Sequence, residues 1–263
     1  MKIGIIGVGK MGGAMVRGML KANIVSDSHI YLYDHHQVNL EAIKTLYPNV
    51  NCCSSESDVL EKSSVVILAV KPYAISKLVS LLDHCTNIPL VISVAAGVSL
   101  GDLTSFCQSD VKFVRSMPNT PASVGHGVVV YSMGQGTNIQ DKFLVENIFN
   151  TLGYALELPE EKIDAAMSIS GCGPAYMYVI LDALSDAGVS LGLTRTEALT
   201  LAAHTMEGSA YMQMQTGQHP MALRDDVTSP GGVTIAALNE LDALGLRHAL
   251  ISATRVAALK GKS

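Results

Sequence analysis

The sequence predicts an α/β protein in two parts: a doubly wound, mostly parallel sheet over residues 1–158, then an all-helical part over residues 159–263. Three observations point there. Apolar strand-like runs alternate with helix-like stretches through the first part, as βαβ units do. Strand patterns stop after Tyr154-Ala155-Leu156-Glu157-Leu158-Pro159, and long apolar helices punctuated by Gly188, Gly192, Gly217 and Gly245 follow. A glycine-rich turn, Gly7-Val8-Gly9-Lys10-Met11-Gly12, sits between the first strand and the first helix, where such sheets hold a dinucleotide pyrophosphate.

In chain order, Lys2–Ile6 is an apolar strand and Met11–Lys21 the helix after it. His29–Tyr33 reads as a strand and Val38–Tyr47 as a helix. Val65–Val70 is apolar without interruption, the pattern of a strand covered on both faces. Leu90–Val94, Val111–Arg115 and Gly127–Tyr131 are further strands, with helices expected at Ile75–His84, Gly101–Gln108 and Gln140–Leu152. The second part reads as helices over Pro174–Leu191, Arg195–Gln215 behind a Thr194 cap, Pro230–Leu241 and Leu246–Lys260. Pro174–Leu184 is apolar nearly all round, so it is buried on most sides. Helices this apolar bury best against a second copy of themselves, which predicts a homo-oligomer.

With 263 residues, 48% hydrophobic and 16% charged, the chain can build two modest cores. No apolar run reaches the roughly 18 residues of a membrane helix. The apolar start turns at once into the glycine loop, so no signal peptide and a cytoplasmic location are expected. A net charge of −5 without a basic run argues against nucleic acid. Five cysteines (Cys52, Cys53, Cys85, Cys107, Cys172), with no C-x-x-C, fit a reduced compartment. No H-E-x-x-H occurs among the eight histidines, and His204 with Glu207 reads as a surface pair, so no metal site is expected.

Gly7 permits the tight turn, Gly9 lets the pyrophosphate reach the backbone, and Gly12 lets helix and strand pack closely. Asp34 ends the second strand, about where a carboxylate meets the adenosine ribose of NAD and repels the 2′-phosphate of NADP, a phosphate that His35 and His36 could partly help to hold; alternatively it is an ordinary strand-end turn residue. Ligands of open α/β sheets lie at the carboxyl ends of strands. Ala69-Val70-Lys71-Pro72 therefore edges the cofactor, with Lys71 a catalytic acid, a phosphate contact or a solvated loop lysine. Ala95-Ala96-Gly97 is small enough to lie against a nicotinamide ring, and Asn119, after the next strand, offers a donor and an acceptor or simply serves an X-Pro turn.

In the helical part, Asp225-Asp226-Val227-Thr228-Ser229-Pro230-Gly231-Gly232-Val233-Thr234 reads as a helix N-terminus made to hold an anion. Ser229 suits the N-cap and Pro230 the first helical position. Gly231 and Gly232 admit a ligand to the backbone, where free N–H groups and the helix dipole favour a carboxylate or phosphate. Thr234 lies in the first turn with its hydroxyl available to the ligand. A second glycine-proline stretch, Ser168-Ile169-Ser170-Gly171-Cys172-Gly173-Pro174, leads into the long helix, and either stretch could instead be an ordinary capped helix start. A dinucleotide site with a separate anion site suggests a dehydrogenase or reductase of a small acid. Neither a Ser-His-Asp grouping nor paired carboxylates are evident, and hydride transfer needs neither. It needs the cofactor ring and an electrophilic carbon about 3–3.5 Å apart.

Together these motifs resemble the pyrroline-5-carboxylate reductase family over essentially the whole chain. The likeness rests on Ile6-Gly7-Val8-Gly9-Lys10-Met11, Ala69-Val70-Lys71-Pro72, Ala95-Ala96-Gly97-Val98, Arg115-Ser116-Met117-Pro118-Asn119-Thr120-Pro121, Gly171-Cys172-Gly173-Pro174-Ala175-Tyr176 and Ser229-Pro230-Gly231-Gly232-Val233-Thr234. It implies a Rossmann domain followed by a helical dimerisation domain that interlocks with a second subunit, as a homodimer or a ring of dimers. It implies hydride transfer from NADPH or NADH to the C=N bond of 1-pyrroline-5-carboxylate, giving L-proline. The substrate carboxylate would bind the backbone around Ser229, Gly231, Gly232 and Val233, with Thr234 near the ring nitrogen. Gly7, Gly9, Lys10 and Met11 would meet the cofactor phosphates. Ala69, Val70, Lys71 and Ala96 would lie along its nicotinamide half. Three positions depart from the family pattern: Cys172 stands for serine, Val233 for a small polar residue, and Glu56 for an asparagine at the adenosine end. Glu56 and Asp34 make that end acidic, which leaves the choice between NADPH and NADH open. Two rivals are a hydroxyacid dehydrogenase, disfavoured because the helix after Pro174 lacks a lysine, and a nucleotide-sensing scaffold without turnover.

Overall fold

A computed structural model describes residues 1–261. Its first part is one eight-stranded sheet. In chain order come β1 (Ile3–Ile6), α1 (Lys10–Lys21), β2 (Ile30–Tyr33), α2 (Gln37–Leu46), β3 (Asn51–Cys52), α3 (Glu56–Lys62), β4 (Val65–Leu68), α4 (Ile75–Ser80), β5 (Leu90–Ser93) and α5 (Leu100–Ser105). β6 (Phe113–Pro118), β7 (Gly127–Met133), α6 (Ile139–Asn150), β8 (Gly153–Glu157) and α7 (Ile163–Ser170) follow. The strand order is β3-β2-β1-β4-β5-β6-β7-β8, and every pairing is parallel except β6 with β7. From β1 the chain runs outward to β2 and β3, then returns to place β4 on the other side of β1. That reversal opens a crevice at the carboxyl ends of β1 and β4, the place where open sheets bind ligands.

Alternation along each strand builds both cores. Ile3, Ile5, Ile30, Leu32, Val65, Ile67 and Ile92 face Met15, Val16 and Met19 of α1 and Ile148 and Phe149 of α6. Ile6, Val66, Leu68 and Val91 face Val59 and Leu60 of α3, Leu78 and Val79 of α4 and Leu103 of α5. With helices on both faces, every residue of β1, β4 and β5 is buried, hence their apolar runs, broken only by Ser93 at the end of β5.

Several elements depart from expectation. β3 is only two residues long and α3 seven, too short to show a period, although Ser55 caps α3 by accepting from the Asp58 N–H at 3.2 Å. β8 is a mostly exposed edge strand where the sequence reads only as the end of the sheet part. The stretch Ile75–His84 divides into α4 and a 3₁₀ turn, Leu81–His84.

Packing divides the chain into two compact units, Met1–Gly171 together with the stretch from Ala258, and Cys172–Ala257. Residues 160–171 belong to the sheet unit because Ile163 is buried beside Met117 and Val130. Arg115 fastens the same segment through Glu160 at 3.3 Å and Asp164 at 2.6 Å.

The helical part holds α8 (Gly173–Ser190), α9 (Arg195–Thr216), α10 (Pro220–Asp226), α11 (Val233–Ala243) and α12 (Leu246–Lys260). α9 starts on a capping box in which Thr194 accepts from the Glu197 N–H while the Glu197 carboxylate accepts from the Thr194 N–H. α8 and α9 pack closely: a Cβ on Gly188 would lie 2.7 Å from that of Ala198. Arg195 ties them further, donating to Ser185 at 2.9 Å and pairing with Asp186 at 2.7 Å. No helix among the described residues is long and apolar enough to cross a membrane.

Candidate functional site

The crevice beside β1 and β4 is a cleft of about 720 Å³, within the range of small-molecule and cofactor sites. Gly7, Gly9, Lys10, Met11, Asp34, Glu56, Ala69, Val70, Lys71, Pro72, Ala95 and Ala96 all line it. They come from five separate places in the sequence. What they share is position: each follows a parallel strand or opens the next helix.

The three glycines of the loop are glycines for different reasons. Gly7 has φ +91°, and a Cβ there would meet the Ala69 carbonyl oxygen at 2.5 Å. A Cβ on Gly12 would overlap the Gly7 carbonyl oxygen at 1.9 Å, so that residue lets α1 close on β1. A Cβ on Gly9 would meet nothing within 4 Å. The fold itself does not need glycine at position 9, whereas a phosphate lying on the backbone does. Gly9 is also the N-cap of α1 and has no side chain to satisfy the first-turn N–H groups of Lys10, Met11 and Gly12. Lys10, Lys71 and Lys77 line the same cleft, and none forms an ion pair among the described residues. Unspent amides, three ammonium groups and a cradle that a Cβ would fill suit an extended molecule with adjoining phosphates.

At the far end of the cleft, Asp34 is half-buried and its carboxylate is engaged inside the protein. One oxygen accepts from the Val8 N–H at 2.6 Å, the other from the His36 N–H at 2.8 Å. Glu56, at the start of α3, faces His35 at 3.6 Å, and the Tyr33 ring meets the His35 ring edge-on. Asn39, Tyr73, Lys77, Leu78, Val94 and Pro118 also line the cleft and escaped sequence reading. Lys77 and Leu78 carried a usable signal, since they lie on the helix that follows the Ala69–Pro72 loop.

Two expected cofactor contacts lie outside the lining. Asn119 is buried and bonded within the fold on both sides of its amide: its Nδ2 donates to the Ser170 carbonyl at 2.9 Å and its Oδ1 accepts from the Val128 N–H at 2.9 Å. It locks the end of β6 to β7 and to the last residue of α7, so its donor and acceptor serve the fold. Gly97, at φ +73°, completes the turn after Ala96.

The stretch 225–234 differs in detail from the expected helix start. α11 begins at Val233 with Gly232 as N-cap, so Ser229 is not the N-cap and Pro230 is not the first helical residue. Ser229-Pro230-Gly231-Gly232 instead forms a tight turn in which the Gly232 N–H donates to the Ser229 carbonyl at 3.0 Å. Proline second and Gly231 third at φ +70° are what a type II turn requires. The turn brings Ser229 Oγ to 2.3 Å from where a Cβ on Gly232 would lie, so a side chain there would force the Ser229 hydroxyl to turn away. No side chain caps α11, so the N–H groups of Val233, Thr234 and Ile235 stay available to an acceptor. Val233 is 88% exposed and Thr234 half-buried.

At the other glycine-proline stretch, Pro174 lies in the first turn of α8 and Cys172 is the residue before that helix. Desolvation, and then contact with the Cys172 thiol, raise the Tyr176 phenol above its ordinary pKa. His204 and Glu207 form an exposed pair on α9 at 3.3 Å. No group of three metal-ligating side chains occurs among the described residues.

Comparison with known proteins gives two family matches. Residues 160–263 match the model for pyrroline-5-carboxylate reductase dimerisation, and residues 2–97 match NADP oxidoreductase, coenzyme F420-dependent. The chain is 39% identical to a pyrroline-5-carboxylate reductase of Arabidopsis thaliana, covering 99% of this chain and 94% of that one. Among solved structures it resembles the Coxiella burnetii pyrroline-5-carboxylate reductase with a TM-score of 0.92 at 32% identity, covering 99% of this chain and 97% of that one. It resembles the Plasmodium falciparum pyrroline carboxylate reductase, solved with NADP bound, with a TM-score of 0.89 at 33% identity and the same coverage.

Proposed function

The chain belongs to the pyrroline-5-carboxylate reductase family, and from that premise we propose how its own residues divide the work. It is an NAD(P)H-dependent oxidoreductase that reduces the C=N bond of 1-pyrroline-5-carboxylate to L-proline, the last step of proline biosynthesis. Residues 1–158 serve as the dinucleotide-binding domain and residues 159–263 as the substrate-binding and dimerisation domain, a division supported by a dimerisation match that starts at residue 160, with residues 160–171 packed on the sheet unit.

The observation that carries the assignment within the cleft is Gly9, a glycine that the fold does not need. The backbone from Gly9 to Met11 takes the cofactor phosphates, with the Lys10 ammonium nearby. Ala69, Val70, Lys71, Pro72, Ala95 and Ala96 form the wall for the nicotinamide half, and Asp34 and Glu56 lie at the adenosine end. The bound dihydronicotinamide supplies a hydride to the C=N carbon. The uncapped N–H groups at the start of α11, next to the Ser229–Gly232 turn, hold the substrate carboxylate. Ser229, Gly231, Gly232 and Val233 shape that seat through backbone and small side chains. The Thr234 hydroxyl holds the ring nitrogen and relays the proton that balances the reaction from solvent. The ring nitrogen lies between the carbon that bears the carboxylate and the C=N carbon, so holding carboxylate and nitrogen together fixes the ring and with it the face that its C=N carbon presents.

The protein acts as an oligomer. A homodimer, alone or assembled into a ring, would cover the apolar helices of residues 172–257, many of whose large side chains are exposed in the protomer. Five free cysteines favour the cytoplasm. The hydroxyacid-dehydrogenase reading fares worse because α8 contains no lysine to act as acid or base.

Oxidation of NADPH and of NADH, measured in parallel with 1-pyrroline-5-carboxylate, tests the assignment. Turnover with at least one is expected, and the ratio of the two rates reports what the acidic adenosine end selects. Folded, oligomeric protein that oxidises neither would remove the reductase reading.

A further inference from the structure

We propose that Asp34 is a positioning residue for the glycine loop, and that its carboxylate acts by holding the Val8 N–H rather than by reading the adenosine ribose. The proposal rests on the dinucleotide reading of the cleft and deepens it.

Strand register creates the contact. β1 and β2 pair in parallel with Ile6 beside Tyr33, so Gly7 and Val8 leave one strand next to Asp34 leaving the other. Two bonds then tie the loop to the end of β2. The Gly7 N–H donates to the Tyr33 carbonyl at 2.9 Å, and the Val8 N–H donates to the Asp34 carboxylate at 2.6 Å. The second carboxylate oxygen is held by the His36 N–H at 2.8 Å, which closes an Asx-type turn at the start of α2 and aims the first oxygen at Val8. The Val8 side chain is buried in the core under α1. Side chain and amide together therefore pin Val8 from two sides.

That arrangement sorts the loop amides. The Val8 N–H is turned toward β2 and Val8 does not line the cleft, whereas Gly9, Lys10 and Met11 do. A short bond from an amide to an ionised acceptor is among the stronger hydrogen bonds a protein makes. It sets the course of the backbone just before the Gly9 cradle, which both cofactors use alike. A ribose-reading carboxylate has the opposite signature, since it discriminates at the 2′ position and leaves the phosphate cradle unchanged.

The test uses the full-length protein, Asp34→Ala and Asp34→Asn, and two readouts. Backbone amide exchange of Val8, measured without cofactor, should accelerate about tenfold in Asp34→Ala, with less change in Asp34→Asn, which keeps one acceptor oxygen. Fluorescence titration should show NADPH and NADH both weakened roughly fivefold or more in Asp34→Ala, with partial recovery of both in Asp34→Asn. Tighter NADPH together with weaker NADH would overturn the proposal in favour of ribose reading. Unchanged Val8 exchange in Asp34→Ala would overturn it outright. If Asp34→Ala does not fold, Asp34→Asn decides: faster exchange with both cofactors weakened supports the tie, and wild-type exchange sinks it. Wild-type protein that binds neither cofactor defeats the dinucleotide reading instead, while the exchange measurement still decides whether Asp34 holds the loop.

Discussion

β4 in the sheet unit and α8 in the helical unit are both apolar, yet β4 buries all four of its residues while α8, with 18, buries only Ser185. Tyr178 is 59% exposed and Val179 is 70% exposed. Within residues 172–257 the only buried positions are Ser185, Ala198 and Ala202. Apolar sequence thus serves two purposes in one chain. In β4 it fills an interior that the protomer closes for itself. In α8 it forms faces that a protomer alone leaves in water, with Met177, Tyr178, Val179, Leu184 and Val189 all exposed on one helix. Composition does not distinguish the two cases, because both look hydrophobic until the partners of each face are known.

Four substitutions break or sharpen that contrast. Val179→Asp should have the largest effect, since a carboxylate on a face covered by a second copy is buried unpaired, at a cost of roughly 4 kcal/mol of association. Sedimentation should then show protomer mass, and an unchanged oligomer would mean that this face stays in solvent. Arg115→Met acts in the sheet unit, where Arg115 is 5% exposed and holds Glu160 and Asp164. Leaving both carboxylates without their partner should lower unfolding stability by about 3 kcal/mol. Denaturant titration checks this, and a wild-type midpoint would show that packing alone anchors residues 160–171.

Gly9→Val should weaken both cofactors about a hundredfold, near 2.7 kcal/mol, while the melting temperature stays put, because a Cβ at Gly9 meets nothing within 4 Å. Lost stability with retained affinity would reverse the roles given to Gly9 and Gly12. Thr234→Ala is the mildest. The helical unit tolerates the change, and kcat should fall about tenfold, near 1.4 kcal/mol, through loss of one hydroxyl contact. Wild-type kinetics would take Thr234 out of the mechanism.

Legibility followed the strength of the local pattern. β1, β4 and β5 read clearly because both faces are buried, and α9 because Thr194 and Glu197 form its cap. β3 and α3 did not, since two and seven residues show no period. The stretch 225–234 stood out by composition as a helix start, yet the helix begins at Val233 because a type II turn takes up Pro230 and Gly231. Asn119 misled because a residue that both donates and accepts suits a ligand or a buried joint equally well.

The sequence by itself determined the two-part architecture, the glycine loop and its place after the first strand, the glycine-proline turn ahead of a late helix and the family. All of these rest on short-range pattern: the period of apolar residues, the backbone demands of glycine and proline, and the spacing of motifs. Tertiary structure alone decided which loop glycines the fold requires and which it does not, where the amide of Asn119 bonds, and that Asp34 reaches back to Val8. Those are contacts between segments far apart in the chain. They exist only once parallel pairing has set the register of β1 against β2, and no local pattern encodes that neighbour.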